Sequence, residues 1–156
     1  MLLVSQVFAQ DSIRIEISGV GARQIPVVIA GFAGEASAKQ KLSAIIKADL
    51  GRSGMFRIID TTDILAEDAS INHNDWRAKG AEALAAGSVK RTADGRYEVR
   101  YSLHDTIKAQ PVSSLSLGSS EKALRLSAHK IADDIYEKLT GIKGIFATRI
   151  AYITKA

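Results

Sequence analysis

Ala83-Leu84-Ala85-Ala86-Gly87-Ser88-Val89-Lys90, the turn Ala93-Asp94-Gly95, and Arg96-Tyr97-Glu98-Val99-Arg100-Tyr101-Ser102-Leu103-His104 form the stretch that decides the fold. Asp-Gly between two strand-like runs is a strong hairpin signal, because a tight hairpin turn needs positive φ. In the second run Tyr97, Val99, Tyr101 and Leu103 fall on one side, and Arg96, Glu98, Arg100 and Ser102 on the other. That period of two predicts a strand with one face on a core. Val112 to Leu117 alternates as well and extends the hairpin to a third antiparallel strand.

Working outward, Pro26 to Ala30 is a continuous apolar run of strand length. Such a run suits a central strand covered on both faces. Ile13, Ile15 and Ile17 alternate with Arg14 and Glu16, which predicts an earlier half-buried strand. Met55 to Ile59 reads as a short strand, and Asp75 to Lys79 as a short helix carrying Trp76. Ser37 with Gln40 fits a capping box, so a helix is expected from Ser37, with Ala38, Leu42, Ile45 and Ile46 on one face and Gly51 and Gly54 as its stop. Ser120 is expected to cap the last helix, with Glu121 in its first turn. Leu124, Ala128, Ile131, Ala132, Ile135 and Leu139 make that helix's buried stripe, and Gly141 ends it. A further strand is expected over Ile145 to Thr154. The order β-β-α-β-α-β-β-β-α-β predicts an α/β fold: one mixed sheet packed with helices.

The chain has 156 residues, 46% hydrophobic and 24% charged, enough for one domain with a core. The net charge is +4, yet the basic residues are dispersed, which disfavours nucleic acid as a partner. There is no cysteine, so disulfides, thiolate catalysis and cysteine metal sites are excluded. Met1 to Ala9 is largely apolar, and Val7-Phe8-Ala9 has the small residues of a signal-peptidase site. Residues 1–10 are therefore expected to be the remnant of a secretory signal.

Candidate chemistry is sparse. His73, His104 and His129 lie at no metal-ligand spacing from one another. His104-Asp105 could form a base with its orienter, but a plain turn is the better reading. Asp60, Asp63, Glu67 and Asp68 crowd one loop without a calcium-loop pattern and read as a solvated loop with helix caps. Gly19-Val20-Gly21-Ala22-Arg23 lacks both the dinucleotide fingerprint and the lysine-serine of a phosphate loop, so a turn is expected there. No serine sits in a Gly-x-Ser-x-Gly elbow. The residues argue for a binding or scaffolding role, not an enzyme, with no cofactor and no metal.

Arg14-Ile15-Glu16-Ile17-Ser18-Gly19-Val20, Ile25 to Phe32, Ala48-Asp49-Leu50-Gly51-Arg52-Ser53-Gly54-Met55-Phe56 and above all Glu137 to Tyr152 resemble the TolB family, periplasmic proteins of the Tol–Pal system of Gram-negative bacteria. The specific part is Lys-Leu-Thr-Gly-Ile-Lys-Gly followed by Thr-Arg-Ile-Ala-Tyr. The strand–helix–Asp-Leu-x-x-Ser-Gly-x-Phe pattern also resembles outer-membrane lipoproteins of the curli-secretion and penicillin-binding-protein-activator type, although the chain has no lipobox cysteine. The TolB resemblance implies an amino-terminal α/β domain over residues 11–141. A linker and the first strand of a truncated β-propeller follow over residues 142–156. It also implies periplasmic localisation and a monomer, with roles in outer-membrane integrity and cell division. The implied partners are the C-terminal domain of TolA and, through the propeller, the lipoprotein Pal. Carried over by position, the TolA-contacting segment is Asp11, Ser12, Ile13, Arg14, Ile15, Glu16, Ile17 and Ser18. Its alternating isoleucines suit addition of a strand to a partner sheet.

Overall fold

The structure, a computed structural model, describes residues 23–38 and 41–148. The strand expected over Ile13 to Ile17, the segment Asp11 to Ser18, the signal remnant, Gln40 and the residues from 149 onward lie outside those described.

The sheet contains β1 (Ile25–Ile29), β2 (Phe56–Ile58), β3 (Ala83–Arg91), β4 (Tyr97–Asp105) and β5 (Gln110–Ser119). Its strand order is β2-β1-β3-β4-β5. β1 pairs in parallel with β2 and with β3, the latter through Val27↔Ala83 to Ile29↔Ala85. β3, β4 and β5 form an antiparallel meander, as the Asp94-Gly95 turn and the alternation predicted. Gly95 takes φ 85°, the conformation for which the turn needs glycine. A bulge interrupts the β4/β5 register between Leu103 and His104, where His104 pairs with Pro111. Proline has no N–H to give a ladder, so an irregular place on an edge strand suits it.

Among the described residues three helices pack on the sheet: α1 (Leu42–Arg52), α2 (His73–Ala78) and α3 (Leu124–Thr140). α1 and α3 cover one face. Val27, Ile29, Phe32, Leu42, Ile46, Leu50, Val99, Tyr101, Leu103, Leu124, Ile131 and Ile135 belong to a single large core there. On the other face, among the described residues, the apolar cluster is small: Val28, Ala30, Trp76, Ala81 and Leu84, with Ile59, Leu65 and Ile71 packed on them. β1 contributes to both clusters, which is why its sequence is apolar without alternation. Burying each large aliphatic side chain stabilises the fold by roughly 1.5–3 kcal/mol before entropy is counted.

Gly87 sits at a close approach between β3 and Phe32. A Cβ there would lie 2.5 Å from Phe32 and 2.6 Å from the Arg100 carbonyl oxygen. Only hydrogen fits between Phe32 and the sheet.

Several helix boundaries differ from expectation. The helix expected from Ser37 does not start there, because Ser37 ends a 3₁₀ turn (Glu35–Ser37) and α1 begins at Leu42. The buried Glu35 carboxylate supplies the cap instead. It accepts from the Ser43 amide at 3.1 Å, the Ser43 hydroxyl at 2.7 Å and the Phe32 amide at 3.0 Å. A carboxylate at a helix N-terminus also complements the helix dipole. Ser120 Oγ accepts from the Ala123 amide at 3.2 Å, one turn before α3 starts, so it organises the approach to the helix. Gly141 ends α3 in the left-handed conformation with φ 80°, as predicted. Residues 146–148 are helical, so the strand expected from Ile145 does not begin there. The remainder of that expected strand lies outside the described residues.

Candidate interaction surface

The partner-binding segment expected at Asp11, Ser12, Ile13, Arg14, Ile15, Glu16, Ile17 and Ser18 lies outside the described residues. The structure does show where the chain enters the sheet after it. Ile25 donates its amide to the Met55 carbonyl at 2.9 Å, and the Gln24 side chain donates to the Gly54 carbonyl at 3.2 Å. Arg23 forms an ion pair with Glu82. The entry point therefore sits beside the turn that joins α1 to β2.

That turn is built by local chemistry. Ser53 donates its hydroxyl to the Leu50 carbonyl at 2.7 Å and accepts from the Met55 amide at 3.2 Å. Gly54 follows with φ 79°. Met55 is left partly exposed.

The same turn borders an apolar cleft at the end of α3. Ser53, Tyr136, Ile142, Lys143, Gly144, Ile145 and Phe146 line about 400 Å³ there. Ile142 and Ile145 are more than half exposed. The connector beyond Gly141 is nonetheless held tightly. Asp133 accepts from the amides of Phe146 at 2.6 Å and Ala147 at 3.1 Å, capping the helical turn that begins there. Phe146 packs edge-to-face on Tyr136 with ring centroids 5.8 Å apart, and Tyr136 on Phe56 at 5.9 Å. These three rings join the edge strand, the long helix and the connector. Gly144 has to be glycine for this contact, since a Cβ would fall 2.8 Å from the Asp133 Cα.

Polar groups elsewhere serve the structure. Asp49 and His129 are both almost fully buried between α1 and α3, with His129 Nδ1 and Asp49 Oδ2 2.5 Å apart. Arg52 meets the other Asp49 oxygen at 2.6 Å. Tyr101 donates its hydroxyl to Asp134, which also accepts from Ser113 at 2.7 Å and Lys138 at 2.8 Å. Burial, and then the Asp134 carboxylate, push the Tyr101 phenol far above its ordinary range. Burial alone would raise the Asp134 carboxyl, but the hydrogen bonds from Lys138, Tyr101 and Ser113 outweigh it and hold the group below the usual range.

His104 and Asp105 are the last two residues of β4, and the turn follows at 106–109. Asp105 accepts from the amides of Ile107 and Lys108, both at 2.8 Å, and does not orient the histidine. The acidic loop runs against the thinly covered face of the sheet. Glu67 accepts from Ser88 at 2.5 Å, and the Asp63 carbonyl from Gly31 at 3.0 Å. Among the described residues no three His, Asp or Glu side chains converge for a metal. Among the described residues, too, no helix is long and apolar enough to cross a membrane.

The sequence did not signal the Glu35 cap, the Asp133 clamp or the Asp49–His129 pair. Only adjacent acids late in α3, away from the N-terminus that favours them, hinted that Asp133 and Asp134 had other tasks.

These features define a mixed α/β domain, helix-sealed on one face, with both ends of its described chain beside one turn. The family model of the TolB amino-terminal domain matches residues 13–112, well over half of the chain. The Tol-Pal system protein TolB of Bordetella parapertussis is 50% identical over 148 residues, 94% of this chain and 34% of that protein. TolB of a Polaromonas species is 52% identical over 153 residues, 97% of this chain and 35% of that protein. The crystal structure of TolB from Acinetobacter baumannii superposes with a TM-score of 0.65 at 32% identity, covering 81% of this chain and 31% of that one. The chain belongs to the TolB family, and it is the amino-terminal domain that it matches. It spans about a third of the length of the curated relatives it matches.

Proposed function

We propose that this chain acts as the amino-terminal binding domain of a periplasmic Tol–Pal scaffold and performs no chemistry. Its segment Asp11 to Ser18 adds as a strand to the C-terminal domain of TolA. Pal is engaged by a propeller that follows the domain, with residues 142–156 as linker and first propeller strand. The role is maintenance of the outer membrane and support of constriction at division. The domain is a monomer and binds no nucleic acid and no cofactor.

One observation carries the reading beyond family membership. The entry of the chain at Gln24 and its exit at Ile142 to Phe146 both border the turn Ser53 to Met55. A partner acting on one end is thus close to the other, which is the arrangement a switch between docked and partner-bound states needs. The test is a pull-down with the TolA C-terminal domain. Deleting residues 11–18 is expected to abolish capture while circular dichroism and the melting transition stay those of the folded domain. Undiminished capture by the folded deletion variant would overturn the reading.

A further inference from the structure

His73, at the start of α2, and His104, at the β4 bulge, are 31 residues apart in sequence, yet His73 Nε2 lies 3.3 Å from His104 Nδ1. Their ring centroids are 5.3 Å apart and the planes are tilted by 54°. The separation is at the long end of hydrogen-bond range, whose usual donor–acceptor distance is about 2.9–3.0 Å. It matches the separation of two ligands on one tetrahedral ion: with metal–nitrogen bonds of about 2.0–2.1 Å, two imidazole nitrogens stand about 3.3–3.4 Å apart.

The hydrogen bonds behind His104 fix which nitrogen carries its proton. Ser102 Oγ donates to the Glu67 carbonyl at 3.0 Å, and a carbonyl can only accept. Its hydroxyl hydrogen is thereby committed. Ser102 Oγ also lies 3.3 Å from His104 Nε2, so in that contact the histidine is the donor. Nδ1 is left with its lone pair, aimed at His73. A ligating imidazole is ordinarily oriented in this manner, through an N–H bond from its other nitrogen.

We propose that His73 Nε2 and His104 Nδ1 together bind a divalent transition metal of the imidazole-preferring kind, with zinc as the reference ion. Among the described residues no third His, Asp or Glu joins them, so water completes the coordination. His73 borders an open cleft of about 460 Å³ with Ser70, Asn72, Asn74 and Ala109, which gives solvent access from its side of the pair. Two protein ligands make an exchangeable site, and the expected order of affinity is copper(II) above nickel and zinc, with magnesium and calcium excluded. Bound metal would tie α2 to the meander across the thinly covered face.

The chain reports on this site through its only tryptophan, Trp76, three residues beyond His73 on the same helix. Titration of the whole chain with copper(II) chloride is expected to quench Trp76 fluorescence at one equivalent. Zinc chloride is expected to compete for the site, and magnesium chloride to do nothing. His73→Ala and His104→Ala should each weaken binding at least tenfold, and Ser102→Ala by about tenfold. As a readout that needs no variant, zinc should shift the NMR ring signals of His73 and His104 and leave those of His129 unmoved. Saturable quenching that both histidine variants retain, or zinc-insensitive ring signals of His73 and His104, would overturn the proposal and leave the pair as a plain hydrogen bond.

Discussion

The two faces of the sheet are built on different terms. The α1–α3 face holds a large core in which even the polar side chains of Asp49 and His129 are almost fully buried and paired. The opposite face holds a handful of apolar residues under a helix of 6 residues and an irregular acidic loop. Long helices can seal a face tightly enough to bury a polar pair, provided that its members bond one another. A face covered by loop relies on polar stitches such as Ser88–Glu67 and Ser102–Glu67 and keeps its histidines within reach of solvent.

The sharpest way to break this contrast is Asp49→Ala. It strands His129 in the sealed layer, where one ring nitrogen, Nε2, already has no hydrogen-bond partner among the described residues. Removing one member of a buried pair typically costs about 3–5 kcal/mol, and urea denaturation should show a loss of that size. Truncation of core side chains tests the two faces directly. Ile131→Ala opens a cavity in the tight face and should fall toward the upper end of the usual range of about 2–5 kcal/mol. Leu65→Ala should fall at the lower end, because a loop can settle into the space. Equal losses from the same measurement would erase the distinction.

A smaller effect is expected at the connector. Gly144→Ala places a methyl group against the Asp133 backbone. Overpacking of this kind costs about 1–3 kcal/mol, read as a lower melting temperature. Phe146 should also lose its contact with Tyr136, visible as a change in near-ultraviolet circular dichroism. The smallest effect is on pH dependence. The folded Asp134 carboxyl titrates below the usual range. Its stabilising contribution is therefore present above the ordinary aspartate pKa and is lost as pH falls through the lowered one. Asp134→Asn should flatten the acid limb of the stability profile, and an unchanged limb would show that the Tyr101–Ser113–Lys138 network does not stabilise the fold.

Much of this fold was legible in the sequence because its signals are local. The Asp94-Gly95 turn, the alternation of Tyr97 to Leu103 and the stripe from Leu124 to Ile135 each lie within one element. The start of α1 was not legible, because its cap comes from Glu35, beyond the reach of a box motif that satisfied Ser37 and Gln40 on spacing alone. The His73–His104 and Asp49–His129 pairs join residues 31 and 80 positions apart, and no periodic pattern records such distances. Ser102 was assigned to the polar side of its strand, yet it is buried, because the acidic loop folds back over it.

The placement of β1 bears on how the domain assembles. Strands β3 to β5 are joined by tight turns and can form early. β1 is central in space but distant in sequence from β3, its partner through Val27 and Ala83. Closing such long-range pairs is slow compared with zipping a hairpin. The expected slow step of refolding is the insertion of β1 between β2 and the preformed meander. Pulse-labelling hydrogen exchange should find the amides of Val99 and Tyr101 protected before those of Val27 and Val28. The strand at the centre of the domain would then be the last to be secured.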